Sequence, residues 1–154
     1  MRCLAPVSRR FAGIALVLAA LAAPALAQSD AGRALSSLSP DVLFVRATGP
    51  WVSGERQGTS RIVLLRTPSP DGAQRLYVQW LAVVDPSTGR TGTVATEEIP
   101  EVFDWRVGME DYRVEPDGAG SRVQIDGRVL GSGQPRRYLL TIGPPGEVTF
   151  GALR

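Results

Sequence analysis

A chain of 154 residues, 44% hydrophobic and 21% charged, has a globular composition, and a single cysteine excludes an internal disulfide. Histidine, lysine and asparagine are absent, so all seventeen basic residues are arginines; the commonest general base and lysine-dependent chemistry are missing. Three of those arginines precede residue 11, leaving fourteen against fifteen carboxylates. The whole chain carries +2 and the part beyond residue 10 carries −1; so small a charge lacks the field expected of a nucleic-acid binder.

The N-terminus reads in three parts. Arg2, Arg9 and Arg10 give a positive start, Phe11 to Ala23 is uncharged and apolar, and Ala25-Leu26-Ala27 supplies small residues after the helix-breaking Pro24. This pattern predicts a cleaved secretory signal over residues 1–27, cut between Ala27 and Gln28. Thirteen apolar residues would span about 20 Å as a helix, against roughly 30 Å of hydrocarbon. No later run is long enough to span, so no transmembrane segment is expected after cleavage. Cys3 precedes the apolar run and leaves with the signal, so lipid attachment at a cleavage-site cysteine is not expected. The processed chain has no thiol, which excludes disulfides, thiolate metal sites and cysteine nucleophiles.

Residues 28–40 form a small, polar leader, either flexible or holding one helical turn through Leu35 and Leu38. From Asp41 the period becomes two, and residues 41–154 are expected to fold as a single β domain. Val42 and Phe44 alternate with Leu43 and Val45 until Gly49-Pro50 interrupts. A second strand runs from about Thr59 to Thr67 and is apolar on both faces at Ile62 to Leu65. Pro68 to Gly72 makes a turn.

Gln74 to Val84 is the clearest strand. Leu76, Val78, Trp80, Ala82 and Val84 share one face; Tyr77, Gln79, Leu81 and Val83 share the other. Asp85 to Gly89 turns the chain. Gly92 to Ala95 fits a short strand, while segment 96–105 fits either a helix capped by Thr96 or a strand. Further strands follow at Tyr112–Val114, Val123–Val129, Tyr138–Ile142 and Val148–Ala152, with Gly127 as a candidate bulge. Turns at Pro116–Gly120, Gly131–Pro135 and Pro144–Gly146 separate them. Seven or eight strands with no long helical pattern predict an all-β antiparallel sandwich or small barrel.

The densest acidic stretch is Glu97, Glu98, Glu101, Asp104, Glu110 and Asp111, whose spacing does not match a calcium loop. Solvated strand edges and a helix start explain it; a carboxylate pair for glycan hydrolysis is the functional alternative. Serine nucleophiles lack an activating base and a Gly-x-Ser-x-Gly elbow, and no phosphate loop is present. Trp51, Phe103 and Trp105 lie beside irregular segments, where partial exposure would suit partner or ligand contact. Gly49-Pro50-Trp51 resembles the Gly-x-Trp opening of lipocalin-type barrels over three residues. Those barrels begin at the motif, whereas an apolar strand precedes it here, so no site is carried over.

These features predict no cofactor, no metal site and no catalytic residue. The expected function is an exported, non-catalytic β domain, periplasmic or secreted, that binds a protein partner or envelope component. One alternative is a carrier holding a small apolar ligand in a barrel cavity, motivated by the strands apolar on both faces. A carboxylate-dependent glycan hydrolase is the other.

Overall fold

A computed structural model describes residues 32, 33 and 35–154; the predicted signal, residues 1–27, lies outside the described residues. In the leader, Ser37 N–H donates to Arg33 O at 3.0 Å and Leu38 N–H to Leu35 O at 3.2 Å. Pro40–Arg154 is a separate unit.

That unit is built from eight strands and one short helix. The strands are β1 (Val42–Ser53), β2 (Arg56–Arg66), β3 (Gln74–Asp85), β4 (Arg90–Ile99), β5 (Val107–Asp117), β6 (Gly120–Val129), β7 (Pro135–Ile142) and β8 (Val148–Ala152); the helix α1 is Pro100–Asp104. Two four-stranded antiparallel meanders result, ordered β1-β2-β3-β4 and β5-β6-β7-β8. No ladder joins one sheet to the other, so this is a sandwich and not a closed barrel. A barrel-cavity carrier therefore has no barrel lumen, and the lipocalin-type resemblance does not extend to the fold.

Alternation fixes which side of each strand meets the other sheet. Ile62 and Leu64 of β2, Leu76, Val78 and Trp80 of β3, and Val123, Ile125, Tyr138, Leu140 and Ile142 of the second sheet are all buried. The Trp80 indole N–H donates to Gly143 O at 2.8 Å, across to the β7–β8 turn. Burial of the ring therefore leaves no unpaired donor. Phe44 of β1 stacks on Tyr112 of β5 with ring centroids 4.8 Å apart. At the other end of β1, a Cβ on Gly49 would lie 3.0 Å from Gly120 O. A bare backbone there lets β1 approach β6.

Three expectations change in detail. β1 does not stop at Gly49-Pro50 but passes through a register shift between Ala47 and Gly49 and runs on to Ser53. An edge strand tolerates Pro50 because one side needs no N–H donor. Segment 96–105 is both strand and helix: β4 continues to Ile99, and Pro100 opens α1 as its first residue, with Ile99 and not Thr96 at the cap. The bulge is in β5, between Met109 and Asp111. Gly127 faces it closely, since a Cβ there would be 2.6 Å from Gly108 O.

Candidate binding face

The two outer faces of the sandwich differ in chemistry. On the second sheet, Arg113 pairs with Gln124, Glu115 with Arg122, and Asp126 with both Asp111 and Arg137. Arg128 forms an ion pair with Glu110, and Arg122 lies 3.8 Å from Asp117. That face is wet and charged, as an antiparallel sheet with one solvated side should be.

The outer face of the first sheet mixes exposed apolar side chains with polar ones. Register places Val45, Val63, Tyr77 and Glu98 in one cross-strand row. The next row is Ala47, Arg61, Gln79 and Thr96, and beyond it lie Pro50, Thr59 and Leu81. Leu43 is 37% exposed, Val45 46% and Val83 56%. Leu43 and Val45 lie on β1 and Val83 on β3, beyond the polar Arg61–Gln79 row; large apolar side chains left exposed on a sheet face are a mark of interaction surfaces.

Two polar groups interrupt this face. Arg75 donates to Glu98 at 2.5 Å, and the Tyr77 hydroxyl donates to the same carboxylate at 3.2 Å. The Glu98 bond and charge hold the Arg75 guanidinium above its ordinary range. Arg61 is half-buried and donates from Nε to Gln79 Oε1 at 2.8 Å. Gln79 in turn reaches Thr96 Oγ1 at 3.4 Å. No carboxylate pairs with Arg61 among the described residues.

Pairing between β2 and β3 ends at Thr59 and Leu81, so the β1–β2 and β3–β4 hairpins separate beyond that row. An open depression of about 350 Å³ lies there, lined by Pro50, Val52, Thr59, Leu81 and Val83 among others.

The aromatic candidates divide. Trp51 is 1% exposed; its indole lies by Gly58, its cross-strand partner, and donates to Leu81 O at 3.2 Å. It helps form the floor of the depression. Phe103, 36% exposed, sits on α1 beneath the Arg75 guanidinium, 4.4 Å from ring centre to Cζ. Trp105, 44% exposed, caps α1 and packs on Tyr138 and Phe150 at centroid distances of 6.4 and 5.8 Å. Burial raises the Tyr138 hydroxyl above its usual range. The fold thus brings Phe103 and Trp105 together on one short element and leaves Trp51 on another.

The acidic stretch is dispersed. Neighbouring positions place Glu97 and Glu98 on opposite faces of β4, Glu101 and Asp104 lie on or at the end of α1, and Glu110 and Asp111 belong to the second sheet. Among the described residues, no three histidine, cysteine or carboxylate side chains cluster closely enough to hold a metal ion. No helix there is long and apolar enough to cross a membrane.

Sequence reasoning missed Leu43, Val45 and Arg61 as surface features. The signal lies in strands apolar on both faces, a pattern that a ligand cavity and an exposed sheet face share in sequence. No protein-family model, no curated protein and no solved structure matches this chain.

Proposed function

We propose that this protein is an exported, non-catalytic β-sandwich, periplasmic or secreted, that docks on a protein partner or envelope component through the outer face of its first sheet. The observation that carries the reading is the contrast between the two outer faces: the rows of one are charged, while the other exposes Leu43, Val45 and Val83 and holds a half-buried Arg61. Leaving such a patch in water is unfavourable at roughly 25 cal/mol per Å² of apolar area, so a surface that covers it gains binding energy. Export is supported by the charge, apolar run and small residues of positions 2–27.

Affinity capture from the exported fraction tests the reading, with wild type compared against Val45→Asp. The reading expects a reproducible partner whose recovery falls with the aspartate, because a charge would be buried unpaired in the contact. Equal recovery by both proteins contradicts it. So does substrate turnover by the purified domain that is lost when a single carboxylate is replaced.

A further inference from the structure

We infer that a second copy of this chain covers the apolar face, each copy placing its Glu101–Trp105 segment against Arg61 of the other. This deepens the preceding reading and rests on it, naming the partner for the same surface.

The argument starts from charge. Arg75, Arg106, Arg122 and Arg128 each hold a carboxylate. Arg61, half-buried on the same face, has only the neutral Gln79 amide. A guanidinium partly removed from water and held in one geometry is a ready acceptor site for a carboxylate. Whatever covers this face should therefore bring a carboxylate flanked by apolar groups.

The chain carries a segment of that description. In Glu101–Trp105, the exposed Phe103 and Trp105 alternate with Glu101 and Asp104. Neither carboxylate has an ion-pair partner among the described residues.

The position of α1 makes the exchange reciprocal. Phe103 lies against Arg75, so α1 stands at the margin of the apolar face. Along β3, Arg75, Tyr77 and Gln79 follow one another on that face, and Gln79 is the residue that holds Arg61. Arg75 and Gln79 are about 13 Å apart at roughly 3.3 Å per residue, with Tyr77 midway. A two-fold axis near Tyr77 would bring the Phe103 side of each α1 toward the other copy's Arg61, with Trp105 keeping its contacts to Tyr138 and Phe150 of its own second sheet. Such an isologous contact closes at two copies and does not propagate.

Sedimentation equilibrium of the exported protein over a wide concentration range tests this. Wild type should show a monomer–dimer equilibrium. Arg61→Glu and Asp104→Arg should each raise the dissociation constant at least about tenfold, and combining them should recover much of the loss. Both positions lie outside the core, and far-ultraviolet circular dichroism verifies that the variants keep the fold. A wild-type monomer throughout overturns the inference, as does a dimer indifferent to both substitutions or an assembly that grows without closing. A monomer that still loses its captured partner on Val45→Asp would sink self-pairing while leaving the docking face intact.

Discussion

At the scale of single residues, Gly58 and Trp51 show how a missing side chain places a present one. A Cβ on Gly58 would sit 1.9 Å from Leu81 O and 2.9 Å from the Trp51 indole nitrogen. Both neighbours are fixed, one as backbone and the other by its hydrogen bond to Leu81 O. Gly58→Ala should therefore destabilise the fold by about 1–3 kcal/mol or more, the usual cost of overpacking, as read by equilibrium denaturation in urea. A wild-type midpoint would mean that Trp51 is not locked as described. The sequence supplied Trp51 as an aromatic beside a Gly-Pro break but not its burial, because burial depends on a glycine in the next strand.

Asp71 provides a residue-scale test by pH. It accepts from the Ser69 hydroxyl at 2.5 Å and from the Ala73 backbone N–H at 3.2 Å, and it forms an ion pair with Arg106. The Ser69 bond first, then Arg106 and Ala73, lower its pKa from 3.8 to about 2. Because the folded value is depressed, its contribution is full above pH of about 4 and is lost as pH falls toward about 2. Asp71→Asn should flatten the melting temperature over that window, followed by tryptophan fluorescence. An unchanged acid limb would show that the loop bonds contribute nothing in solution.

At the scale of elements, strand identity was legible wherever alternation ran unbroken, as in Leu76, Val78 and Trp80. It was least legible at 96–105. Local preference favoured a helix start at Thr96, with two glutamates following. Pairing of Glu97, Glu98 and Ile99 with Val78, Tyr77 and Leu76 extends β4 through that position instead. Pro100, with no N–H for the ladder, ends the strand and suits the first turn of α1. Separation of the two hairpins beyond Thr59 and Leu81 gives an element-scale expectation. Amides of Ala82 to Thr91 should exchange with deuterium faster than those of Leu76 to Trp80, which pair on both sides. Equal protection along β3 would contradict that separation.

At the scale of the whole molecule, the all-β class and its freedom from disulfides were readable from turn spacing, strand period and cysteine count. Sandwich rather than barrel was not. Closure depends on whether β1 or β4 finds a partner across the sheets, and strand chemistry alone does not specify that. The same gap bears on the proposed docking face. Tyr77, Leu81 and Val83 opposite a buried set could line a lumen or an exposed sheet, and only the layer arrangement decides. With no barrel lumen, these residues become outer surface, and that surface is the one proposed for docking.

Site-specific photo-crosslinking in the native host cell tests that face most directly, with a benzophenone amino acid placed at Val45 on the first sheet or at Gln124 on the second. Crosslinked protein, whether a second copy or another partner, is expected from Val45 and not from Gln124. Crosslinks from Gln124 alone, or from neither position, would contradict the assignment.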